Sequence, residues 1–259
     1  MKKILYILVA LLPQLTFSQT FSNTGNVCPP DGNTTGTTSV IAVSGTGTIL
    51  TSVTVNIPNI SHTYYDDLDI MLISPTGQRI RLMSDCGGDN SDNGNRNYTF
   101  VQGGSGLNNG SQPTSSGNVS PTNFGNTDTW PDGAATITQM NQFTGNPNGN
   151  WTLRVIDDGY GDTGCLIGGW SITIVATSPI PTVTTSSVSY TSGTSATGAG
   201  NVTTDGGCTV TDRGVCWSST NATPTIADSY ASDATLATGT GAFSNVPMTV
   251  GYSSVVYYR

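Results

Sequence analysis

The pattern of apolar and polar positions is two-fold along most of the chain. Val53, Val55 and Ile57 fall on one side of an extended segment, with Thr54 and Asn56 on the other. Leu68, Ile70 and Leu72 repeat the alternation, as do Trp151, Leu153 and Val155, and then Trp170, Ile172 and Ile174. Successive side chains of a strand point to opposite faces, so this period predicts half-buried antiparallel strands. Ser74-Pro75-Thr76-Gly77 and Gly145-Asn146-Pro147-Asn148-Gly149 punctuate them as turns. No helical period is present outside the N-terminal segment. Many short strands separated by turn residues predict an all-β protein built from sandwiches.

The same pattern divides the chain. Residues 101 to 135 are rich in Gly, Ser, Asn and Pro and read as a surface excursion, because the alternation resumes at Trp151. Ser178-Pro179-Ile180-Pro181 interrupts strand pairing with two prolines. The expected organisation is therefore a first module over residues 26 to 176, a linker over 177 to 181, and a second module over 182 to 259. The second is richer in Thr, Ser and Ala. Its final apolar stretch, Val255-Val256-Tyr257-Tyr258-Arg259, reads as a strand whose edge stays open, so the module is expected to be C-terminally incomplete.

The first residues change the picture of where the protein works. Lys2 and Lys3 precede the apolar run Ile4 to Leu12, and Phe17-Ser18-Gln19 offers a small residue for cleavage. This is the form of a secretory signal over residues 1 to 18, too short to span a bilayer. Export to the extracellular space or the cell surface is expected, with no membrane span after cleavage.

Of 259 residues only 9% are charged, and the formal charge is −8. Loss of residues 1 to 18 removes both lysines and no acid, which moves that charge to −10. The remaining chain has no lysine, and no glutamate occurs anywhere. These absences exclude a P-loop lysine, a Schiff-base lysine and a zinc protease of the HExxH kind. An acidic surface without lysine also argues against nucleic acid and anionic lipid as partners.

His62 is the sole histidine, so a Ser-His-Asp triad has one candidate base. No nucleophile is paired with it in sequence, and the preferred reading is a residue that caps a strand entrance. Gly193-Thr194-Ser195-Ala196 imitates a subtilisin nucleophile motif but runs into strand-like and turn-like sequence. Aspartates gather as Asp66, Asp67 and Asp69, as Asp85, Asp89 and Asp92, and as Asp157, Asp158 and Asp162. Clustered carboxylates with Asn and Gly nearby suit calcium, a hard cation that takes six to eight oxygens. Calcium ligands are expected from Asp66, Asp67 and Asp69 or from Asp157, Asp158 and Asp162. The competing reading is that Asp and Asn serve turns. Paired acids could also act on glycosides. Tyr64, Tyr65, Trp130 and Tyr160 could stack on sugars in a carbohydrate-binding sandwich, or belong to the core.

Five cysteines, Cys28, Cys86, Cys165, Cys208 and Cys216, remain in an exported chain, where disulfides form. One bridge is expected among the first three, between Cys86 and Cys165, which both sit in loops adjoining strands. Cys208 and Cys216 are expected to stay apart. Eight residues of one extended strand separate them by roughly 26 Å.

The stretch "ISHTYYDDLDIMLISPTGQRIRLMSD" and the later "NPNGNWTLRVIDDGYGDTGCLIGGWSITI" resemble the P domain of proprotein convertases and bacterial subtilisin-like proteases, also called P/Homo B. His62, Thr63, Asp67, Leu68, Ser74, Pro75, Gly77 and Trp151 carry the likeness. Asp157, Gly161, Asp162, Gly164, Leu166 and Trp170 complete it. The resemblance implies a jelly-roll β-sandwich that packs on a subtilisin-like catalytic domain, supports its folding and contributes no catalytic residue. His62, Thr63, Trp151 and Trp170 are then structural. Here the signal leads straight into the P-like module, so the usual protease order is broken. Residues 182 to 259 resemble the fibronectin type III-like repeats of secreted Bacteroidetes proteins. Together these features lead to the expectation of a non-catalytic module pair, for interaction or spacing, whose partners are other domains of a larger secreted or surface protein. The alternative is the accessory region of a secreted subtilisin-like endopeptidase.

Overall fold

The computed structural model describes residues 16–87, 95–110, 114–125, 128–207, 210–233, 239–251 and 256–258. Residues 1–15 of the expected signal segment, Asp89, Asp92, Cys208 and Val255 lie outside the described residues. Apart from two short 3₁₀ turns, Tyr65–Asp67 and Met140–Gln142, the regular structure of the described residues is β. The chain divides into two compact units, one of them Thr16–Thr177 and the other including Ser178–Arg259.

In the first unit the strands are β1 (Thr16–Asn23), β2 (Asn33–Val43), β3 (Ile49–His62), β4 (Leu68–Ile73), β5 (Arg79–Ser84), β6 (Arg96–Gly106), β7 (Gly117–Ser120), β8 (Thr122–Asn123), β9 (Gly149–Asp157), β10 (Gly164–Leu166) and β11 (Trp170–Thr177). One sheet has the order β1-β11-β3-β6-β7, with β10 also on β3, and the other has β2-β9-β4-β5-β8. Their inner faces share one apolar core, as in sandwich packing. Val55, Ile57, Ile172 and Ile174 come from one sheet and Ile70, Leu72, Leu153 and Val155 from the other, all fully buried. The four alternating stretches read from the sequence supply this core. Two tryptophans fix it with polar handles. The Trp170 Nε1–H donates to Ser39 Oγ of β2 at 2.9 Å, which ties the sheets together, and the Trp151 Nε1–H donates to the Pro147 carbonyl at 2.9 Å.

Three features differ from the sequence expectation. The unit begins at Thr16, ten residues before the expected start. The polar strand β1 pairs with β11 along its whole length, from Thr16 against Thr177 to Asn23 against Trp170. Backbone pairing holds this edge strand, so its apolar pattern is weak. Cleavage after Ser18 would leave Gln19–Asn23 in it. Second, the strand pairs are antiparallel except β5 with β8 and β6 with β7, which are parallel. Third, β4 is buried on both faces. Asp69 and Met71, opposite to the core side, are only 2% and 0% exposed. The Gly/Ser-rich excursion covers them. Trp130 from that segment packs with Met71 and Ile156 in a small second core.

The second unit has β12 (Thr182–Thr185), β13 (Ser189–Tyr190), β14 (Ser195–Thr204), β15 (Gly214–Ser218), β16 (Ser229–Ser232), β17 (Gly241–Thr249) and β18 (Tyr257–Tyr258). One sheet runs β12-β14-β13 with β17 also on β14, the other β16-β15-β18. Ala196, Val215, Trp217, Val246, Met248 and Val250 form its described core. A buried ion pair joins the start of β15 to the end of β16, with Arg213 Nη2 3.0 Å from Asp233 Oδ2. Ser195 opens β14, and its carbonyl accepts from the Thr191 N–H at 2.9 Å. That is strand and turn geometry.

Candidate functional site

Loops at one end of the first sandwich gather His62, Thr63, Asp67, Asp157, Gly161, Asp162 and Gly164, while Ser74, Pro75, Gly77 and Trp151 stand at the other end. His62 ends β3 and is 1% exposed. The Tyr64 N–H donates to its Nδ1 at 3.1 Å. The ring proton therefore sits on Nε2, which donates to Asp157 Oδ2 at 3.1 Å. Both nitrogens are used inside the fold, and neither faces a nucleophile. Gly164 lies flat against the ring, since a Cβ there would fall 2.2 Å from His62 Cδ2. Thr63 and Thr163 clasp next to it: the Thr63 N–H donates to the Thr163 carbonyl at 3.2 Å, and the Thr163 N–H donates to Thr63 Oγ1 at 3.0 Å. These bonds join the end of β3 to the approach to β10. Burial raises the Asp157 carboxyl above its usual range, and the bond from His62 opposes that rise.

The disulfide of this end joins Cys28 and Cys165, not Cys86 and Cys165. Register decides it. Val27 and Leu166 form an isolated antiparallel bridge, with backbone bonds of 3.1 and 2.9 Å. The next residue on one side is Cys28 and the preceding one on the other is Cys165, so the two face each other with Cα atoms 4.2 Å apart. Cys86 is buried elsewhere. Its Sγ–H lies 3.2 Å from the Ser84 carbonyl and 3.5 Å from that of Thr122, and burial pushes its pKa up to about 12. Cys216 sits in β15. Its separation from Cys208 falls on a residue outside the described set.

The aspartates converge in a way the sequence trios did not specify. One carboxylate oxygen each from Asp69, Asp128 and Asp158 lies within 4.8 Å of the others, and this is the one such group of His, Cys, Asp or Glu among the described residues. Asp69 comes from the first expected trio and Asp158 from the second. Asp128 comes from the excursion and was not expected. The Ser84 hydroxyl lies 3.0 Å from Asp128 Oδ2 and 3.2 Å from Asp85 Oδ2. Burial, then Asp128, raises Asp69 to about 8.

Asp66, Asp67, Asp157 and Asp162 fall outside this group. The Asp67 carbonyl accepts from the Asp158 N–H at 3.1 Å, and its carboxylate fills the space above Gly159, where a Cβ would sit 2.2 Å from Asp67 Cγ. Burial raises Asp67 to about 6, with His62 opposing and Asp157, Asp158 and Asp162 adding to the rise. Asp31 accepts from the Gly161 N–H at 3.0 Å, which shapes the loop that carries Asp162. Of the aromatic rings considered for sugar stacking, Tyr65 and Trp130 are buried, while Tyr160 is 85% exposed.

Residues 50–174 match the family model described as the proprotein convertase P-domain. The P domain is a non-catalytic accessory domain of subtilisin-like serine proteases. Among solved structures, a crystal structure of the serine protease of Aeromonas sobria is similar at 17% identity and a TM-score of 0.37, over 64% of this chain and 28% of that one. The complex of the Aeromonas sobria serine protease and the chaperone is similar at 18% identity and a TM-score of 0.35, over 65% and 28%. The matches thus span less than a third of the length of those chains.

Proposed function

We propose that the Thr16–Thr177 sandwich is a non-catalytic P-domain-type module of a secreted or cell-surface multidomain protein, used for interaction or spacing, with the second sandwich as a further module of the same service. The observation that carries this reading is the state of His62. Nucleophilic catalysis by serine needs a base within hydrogen-bond reach of the hydroxyl. The only imidazole of the chain is buried and has both nitrogens committed to Tyr64 and Asp157. The P-domain match over residues 50–174 favours a second reading, in which the sandwich serves a subtilisin-like catalytic domain of the same full-length protein.

Casein and short fluorogenic peptides test the first statement. The purified chain should leave both at background. His62→Ala should lower stability by about 1–3 kcal/mol, because Asp157 loses its buried donor, and should change no turnover. Peptide cleavage that vanishes in a folded His62→Ala chain would overturn it. The reading frame flanking these residues separates the two readings. A subtilisin-like catalytic domain there supports the protease association, and further β-sandwich repeats support interaction or spacing alone.

A further inference from the structure

The outer face of β4 carries a buried carboxyl group with one oxygen that the fold leaves without a partner. Asp69 is 2% exposed, and its Oδ1 has no hydrogen-bond partner. Burying a carboxylate is costly unless it is paired or bound to a cation. The neighbours make the demand larger, since Asp128 and Asp158 each bring an oxygen to within 4.8 Å of an Asp69 oxygen. No ion pair found among the described residues reaches any of the three. The nearby Arg81 makes no ion pair with the three, although its buried Nε–H is left without a partner. Its Nη1–H donates to Asn123 Oδ1 at 3.1 Å, and its guanidinium lies 5.8 Å from the centre of the Trp130 ring.

We infer that Asp69, Asp128 and Asp158 form a binding site for a hard divalent cation of the calcium class. The donor set is all oxygen, with no imidazole or thiolate among the three residues, which excludes a soft-metal site. Calcium–oxygen distances of about 2.3–2.6 Å place donors on opposite sides of the ion about 4.6–5.2 Å apart, so the three oxygens fit one coordination sphere. Asp69 is fixed on a strand, Asp158 follows β9 directly, and Asp128 stands on the covering segment two residues before the buried Trp130. Ser84, bonded to Asp128, holds that carboxylate toward β5. The ion would clamp the cover over β4 and β9, and the remaining coordination places would be taken by water or by backbone oxygen. This site is independent of the accessory-module reading, because it needs only the first sandwich.

The test uses the full chain freed of metal by chelator. At a hundredfold excess of calcium over its dissociation constant, the unfolding midpoint of the first unit should rise by about 5–10 °C relative to chelator at matched ionic strength. Asp69→Asn and Asp128→Asn should lose the rise, and Asp162→Asn, outside the triad, should keep it. Terbium emission sensitised through Trp130 should appear at one ion per chain, be displaced by calcium and vanish in Asp128→Asn. No shift in the unsubstituted chain, or an undiminished shift in both triad variants, would overturn the site. Loss of the rise in Asp162→Asn alone would place the ion elsewhere and overturn it too. An equal response to magnesium would overturn the assignment to calcium. If Asp69→Asn does not fold, the terbium titration of Asp128→Asn decides alone.

Discussion

The two sandwiches are assembled by the same rule of alternation but fill their interiors differently. In the first unit, large side chains from both sheets meet. Trp151, Trp170, Tyr98 and Phe100 are at most 1% exposed. In the second, β14 turns Ala196, Gly198, Gly200 and Val202 inward, and Val215 of the facing sheet and Phe243 of the neighbouring strand β17 fill the space above the glycines. A Cβ on Gly198 would come 2.9 Å from Val215 Cγ2, and one on Gly200 2.7 Å from Phe243 Cζ. Even so, a pocket of about 330 Å³, open to solvent, remains beside β14, bordered by Val183, Val202, Val215, Arg213 and Phe243. The first unit also has a disulfide and a second small core on its outer face, under the excursion. A sheet face with small residues can approach its partner closely, but it removes less apolar area from water, and stability follows that area.

The largest expected effect that would break this contrast is removal of the Cys28–Cys165 bridge. It closes a loop with a sequence separation of 137. In the chain-entropy model that is worth about 5 kcal/mol. The double serine variant should therefore lower the first calorimetric transition strongly, with the transition of the second unit as an internal reference. A shift of less than about 1 kcal/mol would mean that the bridge adds little and the core alone sets the contrast. Non-reducing peptide mapping should find the 28–165 link and no 86–165 link.

Next in size is Trp151→Ala. This side chain is fully buried, and loss of a large aromatic from a packed core costs about 3–5 kcal/mol. Chemical denaturation should show it as a fall in midpoint without a change in slope. A cost below about 1 kcal/mol would mean the core relaxes around the gap and is not close-packed.

Amide hydrogen exchange compares the units directly. Amides of β4 and β9, central in their sheet, should exchange at least about tenfold more slowly than those of β14 and β15, a difference of about 1.4 kcal/mol in opening free energy. Equal protection would show that the open pocket and the glycines of the second unit cost nothing measurable. The smallest effect concerns Cys86. Its thiol is 2% exposed and held near a pKa of about 12, so the folded chain at neutral pH should leave it unlabelled by a thiol reagent, and denaturant should release it. Cys86→Ala should cost about 0.8 kcal/mol, near that of one buried methylene. Rapid labelling in the folded state would mean that the first sandwich opens locally at β5.

The sequence by itself determined what depends on neighbours along the chain. Period-two alternation named the strands that build the first core, because side-chain direction in a strand is set locally. The absence of glutamate, the confinement of lysine to Lys2 and Lys3, and the single histidine limited the chemistry in the same direct way. The motifs around His62 and Trp170 fall within the residues that match the P-domain model. Tertiary structure decided what depends on register and on what covers a face. Cys28 could be matched to Cys165 only once Val27 was placed opposite Leu166. Asp69 reads as one of three equivalent aspartates, and its partners Asp128 and Asp158 stand 59 and 89 positions further along. They meet because β4 pairs with β9, and because the excursion folds over the side of β4 that alternation would have left to solvent. Nothing local encodes that cover, since its anchor is one tryptophan in a glycine-rich segment. The carboxyl group buried beneath it is a product of the fold.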